Sequence, residues 1–276
     1  MYKIVKKRYF TESVIEYVIE APLVTRRCLP GQFVILRVDG DGERIPLTIA
    51  DYDRERGLVT VLVQSVGYST MKLAQKNQGD FVEDFAGPLG GHTDLSGFKS
   101  VLLVAGGIGS AVILPQAKNR RGAGFRTDAV LGARTAALLP YEDELRTAAD
   151  NLVVVTDDGS TGGKGFVTDA VKRLIESGRK YDAALAVGSM PMMRAVSELT
   201  KIYGIYTLVS MNTIMVDGTG MCGCCRLTVG GEVKYACVDG PEFDGHAVDF
   251  DEAINRAAFY KHTERAHICR LTAAAK

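Results

Sequence analysis

Residues 100–118 read SVLLVAGGIGSAVILPQAK, an apolar strand followed by a glycine turn and then a helix. The unbroken apolar run before Gly106 is typical of a strand that is buried on both faces. Gly106, Gly107 and Gly109 remove side-chain bulk at the start of the helix, where backbone N–H groups can bind a phosphate. GGIGSA lacks the full G-x-G-x-x-G pattern, so taken alone it is weak evidence for a dinucleotide site.

The rhythm of strand and helix continues after this turn. Further apolar runs lie in DAVLGAR, NLVVVTDDG, DAALAVGS and YTLVSMNTIMV, and helical patterns such as VTDAVKRLIESG and MPMMRAVSELTKIYG separate them. Alternating strands and helices predict a parallel sheet covered on both faces, with ligands at the carboxyl ends of its strands. We assign this α/β domain to residues 99–210.

The pattern before residue 99 is different. KIVKKRYF, SVIEYVIEA, QFVILRV and GLVTVLVQSV alternate between apolar and polar residues and are separated by turn residues, which predicts an antiparallel β-barrel over residues 1–98. One helical stretch, STMKLAQKN, follows Gly67, and Ser69 and Thr70 are candidates to cap it. The free N–H groups at its start suit an anion such as the pyrophosphate of a flavin nucleotide.

A cysteine-rich loop, VDGTGMCGCCRLTVGGEVKYACVDG, occupies residues 216–240. Asp217, Cys222, Cys225 and Cys237 fall in the pattern D-x4-C-x2-C-x11-C. With cysteine in place of Asp217, this would be the spacing that holds a 2Fe-2S cluster. The pattern predicts a small iron-sulfur subdomain over residues 211–276, with these four residues as metal ligands and Cys224 pointing elsewhere.

Three other roles for the cysteines fit the sequence less well. Disulfides are disfavoured because the N-terminal MYKIVKKRYF lacks the apolar core of a secretion signal, and a cytoplasmic location is expected. Zinc could take the three cysteines with Asp217 or His246, but zinc ribbons usually present two C-x2-C knuckles and this chain shows one. Buried inert thiols account for Cys28 and Cys269 better than for the glycine-rich loop.

Composition restricts the partners. The 276 residues suggest about two domains, and 33 basic residues against 33 acidic ones leave no net charge. No basic field is therefore present to attract nucleic acid or an anionic membrane, and neither is an expected partner. The apolar run from Val101 to Ile108 is far shorter than the roughly eighteen residues that cross a bilayer.

The order of barrel, α/β domain and cysteine loop resembles the ferredoxin reductase superfamily over nearly the whole chain. In that family the barrel holds a flavin and the α/β domain holds a nicotinamide nucleotide. Three strings carry the resemblance: Pro30–Phe33 is similar to the family's P-G-Q-F strand entry, Arg44–Ile49 to its flavin strand, and Gly67–Thr70 to its pyrophosphate turn. The implied fold is a flavin barrel and a parallel-sheet nucleotide domain with a C-terminal iron-sulfur loop.

The cysteine loop narrows the resemblance to electron-transfer subunits. The chain is most similar to the small (alpha) subunits of NADH-dependent reduced ferredoxin:NADP oxidoreductases, which are electron-bifurcating transhydrogenases. Class B dihydroorotate dehydrogenase electron-transfer subunits and sulfide dehydrogenase beta subunits are related. The string ERIPLTIAD and the set of one Asp and three Cys resemble the bifurcating subunits, because dihydroorotate-type subunits carry cysteine at the position of Asp217. Ile45 departs from the wider superfamily, which has arginine there, and Arg44 stands one residue earlier.

The resemblance implies two cofactor sites. The FAD candidates are Arg44, Pro46, Leu47, Thr48, Gly67, Ser69 and Thr70. Among them Thr48 is assigned to the chemistry, as the hydrogen-bonding group near flavin N5. The NAD(P) candidates are Gly106, Gly107, Ile108, Gly109, Arg134, Asp157, Gly188, Ser189 and Met192. Arg134 could hold a ribose 2′-phosphate that Asp157 would repel, so NADP(H) stays open although the resemblance favours NAD(H).

These parts predict a function. Nicotinamide delivers electrons in pairs and an iron-sulfur cluster accepts them singly, so FAD is the necessary adaptor between them. We expect an electron-transfer flavoprotein subunit of a bifurcating NADH/ferredoxin:NADP oxidoreductase, working with a larger flavin and 4Fe-4S subunit and, through it, with ferredoxin. The alternatives are the electron-transfer subunit of a dihydroorotate dehydrogenase or sulfide dehydrogenase, and a non-enzymatic iron-sulfur redox sensor.

Overall fold

The computed structural model describes residues 1–260, 263, 264, 266 and 268, so Cys269 lies outside the described residues. The first part of the chain forms seven strands and two short helices. They are β1 Tyr2–Tyr9, β2 Val14–Glu20, α1 Pro22–Thr25, β3 Phe33–Arg37, β4 Arg44–Asp53, β5 Leu58–Gln64, α2 Tyr68–Ala74, β6 Phe81–Val82 and β7 Asp84–Leu89. The strands are antiparallel and lie in the order β6-β1-β2-β5-β4-β3-β7.

This sheet curls into a nearly closed barrel. Strand β6 pairs with β1 and β7 pairs with β3, and a single residue, Glu83, separates β6 from β7. Ile15, Tyr17 and Ile19 of β2 alternate into the barrel core, while Val14 and Glu16 face the other way. The structure therefore confirms the predicted barrel.

A second seven-stranded sheet follows the barrel. Its elements are β8 Ser100–Gly106, α3 Ser110–Gly122, β9 Arg126–Ala133, α4 Glu142–Ala148, β10 Asn151–Thr156, β11 Gly163–Lys164, α5 Val167–Glu176, β12 Ala183–Val187, α6 Met190–Ile202 and β13 Tyr206–Ser210. The six strands named here pair in parallel, as the alternation of strand and helix predicted. Buried apolar clusters cover both faces of the sheet.

The strand order places a ligand crevice beside the glycine turn. Strands β9, β10 and β11 extend from one side of β8, whereas β12 and β13 lie on its other side. Ligands bind at such a reversal, outside the carboxyl ends of the two central strands. Gly106 ends β8 and Gly188 follows β12, and these two glycines lie against each other at that edge.

The segment after β13 returns to the same sheet. It forms the hairpin β14 Arg226–Val229 and β15 Glu232–Tyr235, the strand β16 Glu242–Asp244 and the helix α7 Phe250–Ala257. Strand β16 pairs antiparallel with β13, with Ser210 opposite Glu242. Cys225 and Cys237 belong to a buried apolar cluster that also contains residues of the parallel sheet. The cysteine segment is thus packed into the α/β domain, and the boundaries at residues 98 and 210 stay a prediction.

Polar contacts fix the barrel against the α/β domain. The buried Tyr141 hydroxyl donates to Glu16 Oε2 at 2.8 Å, and burial raises the pKa of this phenol. Arg8 donates to Glu144 Oε1 at 2.8 Å beside it. These contacts join the barrel to the α/β domain. Among the described helices, none combines the length and apolar character that crossing a membrane requires.

Candidate functional site

A cleft of about 970 Å³ lies between the barrel and the carboxyl edge of the parallel sheet. The barrel wall includes Phe33, Pro46 and Thr48, because β3 and β4 alternate and their other side chains enter the barrel core. Phe33 lies opposite Thr48 in the ladder between β3 and β4. The cleft lies at the switch point, where the fold predicts a ligand.

Every predicted NAD(P) residue lines this cleft. The nine are Gly106, Gly107, Ile108, Gly109, Arg134, Asp157, Gly188, Ser189 and Met192. They come from four different strand ends, those of β8, β9, β10 and β12, which the parallel sheet brings to one edge. Their convergence supports the sequence assignment, and the contacts of each residue with a nucleotide stay a prediction.

The glycines in the cleft leave room for a ligand and for Met192. A Cβ at Gly106 would lie 2.7 Å from Met192 Sδ, and one at Gly188 would lie 2.8 Å from the same atom. Gly107 has a φ of +54°, with nothing nearer to its Cβ position than Leu138 O at 3.9 Å. Ser189 caps α6, accepting from Met192 N at 3.4 Å. Backbone N–H groups here can approach an anion closely.

The predicted FAD residues fall into two groups. Pro46 and Thr48 line the cleft, whereas the Leu47 side chain lies in the barrel core, so only its backbone is available to a flavin. Arg44 donates instead to the carbonyls of Val216 at 3.1 Å and Asp217 at 3.4 Å. The Arg44 side chain therefore holds the entry to the cysteine loop.

Gly67, Ser69 and Thr70 lie outside the lining of the cleft, at the start of α2. The Thr70 hydroxyl accepts from Gly67 N at 3.0 Å and donates to Gly67 O at 2.9 Å, which closes the turn. Ser69 donates to Glu43 Oε2 at 2.9 Å. The Thr70 hydroxyl thus shapes the turn that the sequence assigns to a pyrophosphate, and the Ser69 hydroxyl ties the helix start to Glu43.

The structure adds cleft residues that sequence reasoning missed. Asn212, Thr213, Met215 and Pro241 line the cleft next to the end of β13. Thr213 Oγ1 is buried and has no hydrogen-bond partner among the described residues. A buried hydroxyl without a partner is costly, and a bound polar ligand would remove that cost. Their position after a parallel strand was the available signal.

The residues present fit a flavin and a nicotinamide nucleotide. The volume of the cleft is at the upper end of the roughly 300–1,000 Å³ found for cofactor sites. Apolar side chains and glycines dominate its walls, and the unpartnered Thr213 hydroxyl offers a polar anchor. Bound together, the two cofactors would exchange hydride and convert electron pairs to single electrons.

The backbone conformation of the cysteine loop explains why it is rich in glycine. Gly218, Gly220 and Gly223 have φ values of +82°, +87° and +68°, which side chains other than glycine rarely adopt. Gly218 also packs against the barrel, since a Cβ there would lie 2.8 Å from Ile35 Cγ1. The loop therefore turns sharply while resting on strand β3.

The cysteines are free thiols in two environments. Cys225 Sγ lies 3.2 Å from Cys237 Sγ in a buried pair, while Cys222 is exposed. Burial raises the pKa of Cys237 to about 12, and a hydrogen bond from the Cys224 backbone lowers the pKa of Cys222. The Asp217 carboxylate accepts from the Thr219 hydroxyl at 2.6 Å, which lowers its pKa and orders the turn.

The residues of the cysteine loop are chemically suited to an iron-sulfur cluster. Within the described ranges, no three Cys, His, Asp or Glu side chains are placed to hold one ion. His246 Nε2 instead lies 3.3 Å from the Thr200 hydroxyl on α6, so the zinc alternative lacks that ligand. Thiolates are the preferred ligands of iron-sulfur clusters, and Cys222, Cys225 and Cys237 with Asp217 would hold one.

Known proteins show the same organisation. Residues 212–249 match the family model of the iron-sulfur cluster binding domain of dihydroorotate dehydrogenase B. An uncharacterized protein of Clostridium beijerinckii is 53% identical, over 96% of this chain and 92% of the relative. A Thermotoga maritima homologue of the dihydroorotate dehydrogenase B (NAD⁺) electron transfer subunit is 46% identical, over 95% of this chain and 93% of the relative.

A solved structure agrees over the whole chain. It belongs to an NADH-dependent reduced ferredoxin–NADP oxidoreductase studied for flavin-based electron bifurcation. The two chains are 45% identical, with a TM-score of 0.93 over 99% of this chain and 98% of the other. Both the fold and the sequence of these relatives agree with the resemblance. This chain belongs to the family of dihydroorotate dehydrogenase B electron-transfer subunits and their homologues, which are flavin and iron-sulfur oxidoreductase subunits.

Proposed function

We propose that this chain transfers hydride between NAD(H) and FAD in the cleft and passes single electrons through a 2Fe-2S cluster to a larger partner subunit. One observation carries the proposal: all nine nucleotide candidates and Thr48 line one cleft, and the cysteine segment continues directly from its wall. The proposed cluster ligands are Asp217, Cys222, Cys225 and Cys237.

Hydride transfer requires positioning more than acid or base groups. The nicotinamide must lie against the flavin with the reacting atoms in contact and water excluded. Phe33 and Pro46 present apolar surface to the cleft from the barrel, and Met192 does so from α6. In this proposal the Thr48 hydroxyl orients the flavin and the Thr213 hydroxyl binds a polar edge of one cofactor. FAD supplies the conversion of electron pairs to single electrons when it is bound.

The cysteine loop is close enough to receive those electrons. Met215 lines the cleft, and Asp217 follows two residues later, so their Cα atoms are at most about 7 Å apart. Arg44 holds the Val216 and Asp217 carbonyls, which ties the loop to the barrel strand that also carries Thr48. The cluster would therefore lie beside the flavin side of the cleft.

The outer side of the loop supports docking of another subunit. Val216, Met221 and Val238 are apolar and exposed, with 86% of Met221 accessible. Exposed apolar side chains that cluster together are typical of protein interfaces. As an electron-transfer subunit, the chain works within a larger assembly. We further propose that the partner carries flavin and 4Fe-4S centres, that ferredoxin is reached through it, and that the assembly is cytoplasmic.

The decisive experiment uses the purified chain under anaerobic conditions. We expect about one FAD and two irons per chain, bleaching of the flavin by NADH, and reduction of artificial dyes. With NAD⁺ as co-acceptor, NADPH should reduce no ferredoxin until a larger flavin and iron-sulfur subunit is added. Robust ferredoxin reduction by the chain alone would contradict the proposal that ferredoxin is reached only through the larger subunit. Cluster absorbance without flavin would support the redox sensor.

A second candidate has support from the relatives. The Thermotoga maritima relative is named as a dihydroorotate dehydrogenase B electron transfer subunit homologue. A dihydroorotate dehydrogenase catalytic subunit is therefore the alternative partner. Co-purification from cells separates the two, because the bifurcating partner would bring 4Fe-4S absorbance and the alternative would bring dihydroorotate-dependent NAD⁺ reduction.

A further inference from the structure

A buried carboxyl group lies behind the cleft. Glu242 of β16 keeps some accessible surface as a residue, but its Oε1 atom is inaccessible and has no hydrogen-bond partner among the described residues. Burial raises the pKa of Glu242 to about 8, although the nearby Thr93 and Ser210 hydroxyls favour the charged form. A carboxyl group in this state can take up and release a proton near neutral pH.

Glu242 stands in a wall between two cavities. Ser210 and Pro241 line the cleft, whereas Glu242 lines a second cavity of about 480 Å³. Ser210 and Glu242 are directly opposite in the antiparallel ladder between β13 and β16, so their side chains share one face of the sheet. Thr93, on the second cavity, lies against Gly31, on the cleft.

The second cavity leads to solvent past ionisable groups. The groups that face Glu242 across it are His92, Asp94, Asp239 and Tyr206. His92, Asp94 and Asp239 are exposed. The Asp94 carboxylate is held by the Ser96 hydroxyl at 2.7 Å, which lowers the pKa of Asp94. The second cavity thus gives a proton that leaves Glu242 a route to solvent.

The proposed reaction produces a proton that must leave the cleft. NADH oxidation yields NAD⁺, two electrons and one proton, and an iron-sulfur cluster accepts only the electrons. We propose that Glu242 carries this proton between the cleft and the second cavity, with the Ser210 hydroxyl as the link. The protonated carboxyl group releases its proton to solvent in the second cavity and takes up the next proton from the cleft through the Ser210 hydroxyl. This inference rests on the proposed function, because that function generates the proton.

The test compares Glu242→Gln with Glu55→Gln, a control at an exposed turn residue. Infrared spectra of the protein without NADH should show a protonated carboxyl band near neutral pH that is lost only in Glu242→Gln. The rate at which NADH bleaches the flavin in a single turnover should be unchanged. Steady-state ferricyanide reduction should fall about tenfold or more, with a changed pH profile.

Two readouts separate the possible failures. Absence of flavin bleaching in the unmodified protein would refute the proposed function, whereas normal bleaching with an unaltered turnover and pH profile in Glu242→Gln would refute the relay alone. A carboxyl band that persists in Glu242→Gln would also refute it. If Glu242→Gln does not fold, Ser210→Ala serves instead: turnover should slow while the carboxyl band stays, and unchanged turnover would overturn the proposal.

Discussion

The cleft and the cysteine loop reach their functional states differently. In the cleft, strand ends from one parallel sheet place nine predicted residues together, and Gly106 and Gly188 allow close packing there. In the loop, Cys225 and Cys237 form a buried pair while Cys222 is exposed and the Asp217 carboxylate caps a turn. A sheet fixes a site before its ligand binds, whereas a loop takes its final geometry from the metal cluster.

The largest difference between the cleft and the cysteine loop is expected when a single cluster thiol is removed. Cys225→Ser should lose nearly all iron, because a loop without a preformed site depends on every ligand. The cleft stands on strand ends, so FAD content and flavin bleaching by NADH should persist. Iron, flavin and single-turnover assays measure this. Cys224→Ser is the matched control, and iron loss there instead of in Cys225→Ser would contradict the ligand assignment.

A larger side chain in the cleft should produce the opposite pattern. In Gly188→Val, the new side chain would collide with Met192 and with the backbone of Gly106. Such overpacking costs about 1–3 kcal/mol of stability. We expect the KM for NADH to rise about tenfold or more, with iron content unchanged. Gly97→Val is the control, since nothing lies within 4 Å of its Cβ position. Equal KM values for the two variants would show that the crevice is not the nucleotide site.

Thr213 tests whether the cleft is built for a polar ligand. Thr213→Val keeps the shape and removes the buried hydroxyl that has no partner among the described residues. The cofactor-free chain should become more stable by about 1 kcal/mol, whereas cofactor affinity should fall about fivefold or more. Melting temperatures and flavin and NADH titrations measure the two effects. If stability and cofactor affinity both fell in Thr213→Val, the role of the Thr213 hydroxyl would be to stabilise the fold.

The change in stability expected from Glu242→Gln is the smallest of these effects, and it depends on pH. In the folded chain the pKa of Glu242 is raised to about 8 from its ordinary value of 4.5, so the folded state holds a proton that the unfolded state releases between these values. Wild-type stability therefore falls as pH rises through this window. Glu242→Gln lacks this loss, so its Tm relative to wild type should increase by about 3 °C or more between about pH 5 and pH 8.5. If the Tm difference between Glu242→Gln and wild type did not change with pH, a raised pKa for Glu242 would be contradicted.

The sequence was most informative where local pattern and topology coincide. The run from Ser100 to Lys118 predicted a strand, turn and helix, and parallel pairing then placed Gly106 beside Gly188. Pairing between distant segments was not visible, so Thr213 and Glu242 were missed. The resemblance also did not predict how the side chains of strand β4 are oriented. Leu47 points into the barrel core, and Arg44 donates to the Val216 carbonyl.

Strand β16 also closes the chain segment that carries the cysteines. Met211 N donates to Pro241 O at 2.9 Å, so residues 212–240 leave and re-enter the sheet at neighbouring positions. A segment whose two ends meet can vary in its outer turns while the strands on either side keep their pairing. Thr213 and Met215 line the cleft, and Cys225 and Cys237 pack in the core of the sheet, so this freedom belongs to the outer turns alone. Substitutions in those turns can therefore tune the electron outlet while the hydride site stays intact.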